Sequence, residues 1–151
     1  LLKKSLDLMM TIIPALIFVV SFIMCLVNYY TSSYILRKYK SEVSTEAFKD
    51  FTLPRDFSRG IFYVFLGTLI LSLFKFQFQE ELSLNIAIII VSLLTTQGIS
   101  VVVDIVGSKS MVLAIIINIF LLTSSMSIFL TLLGLIEGMF SLRARWRMRN
   151  E

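Results

Sequence analysis

Residues 82–106 read LSLNIAIIIVSLLTTQGISVVVDIV, and Asp104 is the one charged side chain among them. The run exceeds the roughly 20 predominantly apolar residues that carry a helix across the hydrocarbon of a bilayer, and it is too long for the core helix of a small soluble domain. The chain around it has the same character. Of its 151 residues 57% are hydrophobic and 16% charged, with a mean hydropathy of +0.88, whereas soluble domains carry about a quarter charged residues and a little under half apolar ones. The excess faces lipid. Composition therefore excludes a soluble enzyme, an ordinary soluble binding module, a disordered chain and a fibrous one. The fold class it points to is all-α, a polytopic transmembrane helical bundle.

Ahead of this run, Gln79, Glu80 and Glu81 close another apolar block, residues 60–78. Behind it, Gly107-Ser108-Lys109-Ser110 offers a glycine stop and a serine N-cap, which predicts a tight hairpin into a last span over 111–140. A first span, 8–36, ends in the basic cluster Arg37, Lys38, Lys40; Pro14 marks a bend, and Tyr29, Tyr30 and Tyr34 suit an interfacial aromatic belt. The polar loop 41–59 contains Ser44-Thr45-Glu46-Ala47-Phe48-Lys49-Asp50-Phe51, a short surface helix that Leu53-Pro54 should terminate. The basic tail, 141–151, carries Arg143, Arg145, Arg147 and Arg149 around Trp146. Residues 1–151 thus read as a single bundle with four crossings. Leu1 in place of Met, and the lack of a small-residue cleavage site ahead of the first span, suggest the C-terminal part of a longer membrane protein.

The net charge of +4 comes from 14 basic and 10 acidic residues. The basic residues sit at span ends, where they meet headgroups, so nucleic acid is not an expected partner. With four crossings, Lys3, Lys4, Lys75 and the four tail arginines share one side, while Arg37, Lys38, Lys40, Lys49, Arg55, Arg59 and Lys109 share the other. The positive-inside rule gives a tie, and the unbroken arginine cluster of the tail favours a cytoplasmic C-terminus. With no His and only Cys25, the chain lacks the means for a disulfide, a His/Cys zinc site, a His general base or a Ser-His-Asp triad. No enzyme activity, cofactor or metal is expected, since the remaining carboxylates are far apart in sequence.

In hydrocarbon a polar side chain needs a partner, so the polar residues should share faces. At 100° per residue, Asn85, Ser92, Thr96, Gln97, Ser100 and Asp104 fall within an arc of about 140°, with Ile88, Ile90 and Leu94 largely outside it. This stripe either packs against neighbouring helices or lines a wet cavity facing a solute, and Asp104, near the span end, reads as a solvated carboxylate. In the last span Thr123, Ser127, Thr131, Gly134 and Gly138 cluster within about 80°, a close-approach ridge for another helix. Glu137 at its edge could pair with Arg143 or with a neighbouring helix, or serve as a proton or cation site. Pro14, Ser21, Cys25, Asn28 and Ser32 form the expected inner face of the first span, with Ile17, Val20 and Val27 outward and Cys25 a small packing residue; Gly60, Tyr63 and Gly67 offer another close-approach surface.

The proline-led span ending in Asn28-Tyr29-Tyr30, the loop Thr52-Leu53-Pro54-Arg55, Thr96-Gln97-Gly98-Ile99, and Leu133-Gly134-Leu135-Ile136-Glu137-Gly138-Met139-Phe140-Ser141-Leu142-Arg143 together resemble the C-terminal half of the YybS-like family of bacterial membrane proteins. The resemblance spans nearly the whole chain. That family often has aspartate and tryptophan where this chain has Glu137 and Phe140, so the acid is kept and the indole lost. The resemblance implies a multi-pass protein of the bacterial cell membrane with further spans upstream. It also implies a distant similarity to the substrate-binding subunits of energy-coupling-factor vitamin transporters, and a gene neighbour encoding a membrane-bound cyclic-dinucleotide phosphodiesterase.

Two functional readings follow. One is a membrane-embedded solute-binding or transport component, with a small-molecule partner at the stripe of the third helix and Glu137. The other is a non-enzymatic scaffold or partner subunit, in which the same residues pack helices and other membrane subunits are the partners.

Overall fold

The computed structural model describes residues 2–39, 47–73, 79–107, 110–123 and 126–143. Their elements are α1 (Leu2–Lys38), a 3-10 turn (Phe48–Asp50), α2 (Arg55–Leu73), α3 (Gln79–Gly107), α4 (Met111–Thr123) and α5 (Ser127–Phe140), with no strand among them. α1, over Met9–Leu36, and α3, over its whole length, are each long and apolar enough to cross a membrane. The described residues group into two compact units, Leu1–Thr45 with Phe65–Ile90 and Glu46–Val64 with Val91–Glu151.

Local chemistry accounts for the helix ends. Pro14 removes one N–H from α1, yet the helix runs through it. Pro54 precedes the first residue of α2, as its bias against the helical region for the residue before it requires. Glu80 and Glu81 fall in the first turn of α3, where they complement the positive end of the helix dipole. Ser110 caps α4: its carbonyl accepts from Ala114 N–H at 3.1 Å, and its Oγ lies 3.4 Å from Leu113 N.

The expected continuous span over 111–140 is divided. α4 and α5 meet at an angle of 113°, and the pair counts as a third crossing element only if the bent helices act as one. The sequence at the break, Thr123-Ser124-Ser125-Met126-Ser127, supplies a physical reason, because hydroxyl side chains offer the backbone alternative hydrogen bonds and weaken a helix interior. Residues 74–78, the end of the expected second span, lie outside the described residues, as do 41–46 and the tail beyond Arg143. Of the expected polar loop 41–59, residues 48–50 form a 3-10 turn and residues 55–59 belong to α2, which starts earlier than the apolar block suggested.

In the unit of Leu1–Thr45 and Phe65–Ile90, α1 is anchored to α3 at the turn that contains Pro14. The Asn85 carboxamide accepts from Ala15 N–H at 2.9 Å and donates to Thr11 C=O at 2.7 Å and to Glu81 C=O at 2.8 Å. It thereby bridges the two groups that an unbroken helix pairs with each other, Thr11 C=O and Ala15 N–H. Ala15 is fully buried beside it. The rest of α1 departs from expectation. Ser21, Cys25, Asn28 and Ser32 are exposed, like the apolar Ile17, Val20 and Val27. Only Ala15 and Ser33 are buried among the described α1 side chains, so the polar seam is not an inner face of this unit and Cys25 is not a packing residue. Tyr29 and Tyr30 meet edge to face at 5.0 Å.

α2 also differs from expectation. A Cβ built at Gly60 or Gly67 meets no heavy atom within 4 Å, and Tyr63 is exposed, so these residues are not a close-approach surface. The one buried residue described on α2 is Ile61. α3 supplies half of the buried residues described in the unit of Glu46–Val64 and Val91–Glu151: Leu93, Leu94, Gln97, Gly98, Ser100, Val101, Val102 and Asp104. Leu94, although outside the polar arc, is 4% exposed, and Asp104, read from sequence as solvated, is 7% exposed.

Candidate functional site

α3 and α5 cross with their backbones in contact. A Cβ on Gly98 would stand 2.0 Å from Leu130 O, and one on Gly134 would stand 1.9 Å from Leu94 O and 3.0 Å from Gly98 N. Only hydrogen fits at either position. The Thr95 and Thr131 hydroxyls bond to each other at 2.9 Å beside this crossing. The two helices thus present the same five-residue pattern, Leu94-Thr95-x-x-Gly98 and Leu130-Thr131-x-x-Gly134, with each glycine against the other helix's leucine carbonyl. Small residues that admit a second backbone, joined by a hydroxyl pair, are a means of association where lipid offers no hydrophobic gain.

The ridge foreseen from sequence is only partly the one that packs. Thr131 and Gly134 lie in the crossing and Gly138 is buried, but Thr123 and Ser127 are exposed. The break between α4 and α5 ends the common register on which that stripe depended. Thr95 and Gly98 were absent from the expected contact, although the Leu-Thr-x-x-Gly repeat was a readable signal for both.

Below the crossing lies a buried ionic node. Glu137 and Arg143 are 4% and 5% exposed, and Arg143 Nε donates to Glu137 Oε1 at 3.0 Å. Arg143 backbone N–H donates to the other carboxylate oxygen, Oε2, at 3.1 Å. The turn that makes both bonds possible is set by Ser141, whose φ of 49° and ψ of 54° are left-handed and whose N–H closes α5 on Glu137 C=O at 2.8 Å. Chain reversal there brings residue 143 back onto residue 137.

The remaining donors of Arg143 reach out of α5. Nη1 donates to Ser100 Oγ at 3.1 Å and to Lys49 C=O, and Nη2 donates to Phe51 C=O at 2.8 Å. Ser100 Oγ lies 2.8 Å from Phe48 O and 3.0 Å from Phe51 O, so its one proton serves either carbonyl. The 3-10 turn and its C-cap residue thereby direct three carbonyls inward, where the sequence suggested a segment lying on the surface. A buried guanidinium and a carboxylate are tolerable in a low-dielectric interior when their hydrogen-bonding groups are matched, as here. Chemically the node is a latch: it ties the loop at 48–51 to α3 and to the end of α5.

Because Ser141 carries a Cβ in a conformation that glycine adopts freely, Ser141→Gly should keep the node and hold or slightly raise the melting temperature. Ser141→Val should lower stability by about 1–2 kcal/mol, read from thermal unfolding in detergent.

The other residues of the α3 stripe have separate fates. Asn85 is committed to α1; Ser92 and Thr96 are half-buried, with Thr96 Oγ1 donating to Ser92 C=O at 2.9 Å within the helix. Gln97 is 1% exposed, and neither Nε2 nor Oε1 has a hydrogen-bond partner among the described residues. On α4, Asn118 is 6% exposed; its Nδ2 donates to Ala114 C=O at 2.9 Å, while its Oδ1 accepts nothing described. No group of three or more His, Cys, Asp or Glu suited to a metal ion occurs among the described residues.

No curated protein matches the chain, and no solved structure does. A family of membrane proteins does match, over residues 1–137, a stretch that includes the spanning helices, the α3–α5 crossing and Glu137. With apolar helices of crossing length and polar groups paired between them, the chain belongs to the family described as "Predicted membrane protein (DUF2232)".

Proposed function

We propose that the protein is a non-enzymatic subunit of a bacterial membrane complex, a multi-pass protein of the cell membrane whose first helix docks a helix of another subunit. The observation that carries this reading is the exposed polar seam of α1. Ser21, Cys25, Asn28 and Ser32 recur at spacings of four, three and four, the period of a left-handed helix pair. Met9–Leu36 contains no charged residue, so the partner face is uncharged, with small residues for close approach and a hydrogen-bonding group for the Asn28 amide. Asn85, Ser100, Thr131, Glu137 and Arg143, by contrast, are engaged within the fold.

Asn28→Leu combined with Ser21→Leu should leave helicity and melting temperature unchanged, because both positions are exposed. The same variant should lose a stoichiometric subunit that wild type retains through purification in mild detergent. An identical protein composition in both preparations would sink the proposal.

A second reading, the membrane-embedded solute-binding or transport component, is favoured by Gln97, a buried amide with both polar ends unspent. The resemblance to the YybS-like proteins, which implies a distant likeness to energy-coupling-factor substrate-binding subunits, supports that reading.

A further inference from the structure

Gln97 stands on the buried face of α3, next in sequence to Gly98 of the crossing. Ser100, one turn on, and Asp104, two turns on, are buried on the same face. Ser100 is held by Arg143 and the loop carbonyls, whereas the Gln97 carboxamide has two N–H donors and a carbonyl that find no protein partner among the described residues. Leaving such a group dry is costly in a protein interior and more so within a bilayer, where no bulk water stands behind it. Buried polar groups in native proteins are nearly always satisfied, and those without a protein partner are satisfied by a bound molecule. Gly98 and Gly134 allow no room at the crossing itself, so whatever meets this amide is small.

We propose that Gln97 is the recognition group of a buried site for a small neutral molecule that accepts from its NH2 and donates to its carbonyl. The carboxamide carries no charge, so a neutral molecule meets it without leaving a buried charge uncompensated. Both an internal water and a small polar solute carry the required donor and acceptor chemistry. The solute form rests on the second functional reading above; the site itself does not.

The test uses the full chain in detergent, labelled with 15N at glutamine. Gln77, Gln79 and Gln97 are its only glutamines, and Gln97→Met assigns the signal while replacing the amide by an apolar side chain of similar length. A rotating-frame cross-peak between the Gln97 NH2 and water supports the site with water as occupant and removes the solute reading. A co-purified small mass in the native mass spectrum of wild type, absent from Gln97→Met, supports the site with a solute as occupant. Absence of both the cross-peak and the bound mass in wild type overturns the proposal.

Discussion

Gly134→Ala should cost about 3 kcal/mol and separate α5 from α3, because the new methyl would fall 1.9 Å from Leu94 O and 3.0 Å from Gly98 N. Both neighbours are backbone atoms, which cannot turn aside as a side chain can. Gly98→Ala should behave alike, its Cβ meeting Leu130 O at 2.0 Å. The two losses should not add, since the first substitution already opens the contact that the second would disturb. Gly67→Ala is the control: it meets nothing within 4 Å and exchanges a poor helix former for the best one, so its melting temperature should hold or rise. Thermal unfolding of the four variants in one detergent checks the set, and a Gly134→Ala protein as stable as Gly67→Ala would show that the helices do not meet backbone to backbone.

Arg143→Ala should be about as damaging, at about 4 kcal/mol. It strips Glu137 of the Nε hydrogen bond and its counter-charge, Ser100 of a donor, and the carbonyls of Lys49 and Phe51 of theirs. The backbone N–H of residue 143 survives the substitution, so part of the Glu137 pairing persists. Glu137→Gln in the Arg143→Ala background should recover a measurable part of the loss by removing the uncompensated buried charge, a reversal that independent sites would not produce. Limited proteolysis gives a second reading of the same event: with the latch gone, cleavage after Lys49 should accelerate while cleavage at exposed Arg59 stays unchanged.

The membrane class and the long helices were legible because they depend on runs of apolar residues, which are local and additive. The Glu137–Arg143 pairing could be foreseen because the residues are near neighbours in sequence. The crossing was legible by half: the small residues of 131–138 announced a ridge, but Gly98 does not look special until Gly134 is set against it. The carbonyls of Phe48, Lys49 and Phe51 could not be foreseen, since a backbone group carries no sequence signature and residue 48 meets residue 100 only through the tertiary fold. Helical-wheel arithmetic failed where its premise failed. Thr123 and Ser127 share a face only on an unbroken helix, and Leu94 lies outside the polar arc yet is buried, because a helix crossed by another has more than one inside. α1 shows the converse, a seam with the right spacing and no partner among the residues described around it.

The Asn85 contact to α1 also imposes an order of events. Thr11 and Ala15 leave the ribosome some seventy residues before Asn85 does, given separations of 74 and 70 in sequence. During that interval the Asn85 amide is absent, and Ala15 N–H and Thr11 C=O can pair with each other as in an unbroken helix. When α3 follows, its amide is admitted at one rung alone, the turn where Pro14 has already loosened the ladder. A shift of α1 by one residue would present Asn85 with a different, intact rung, so the depth at which the first helix is seated is decided late and by a single side chain.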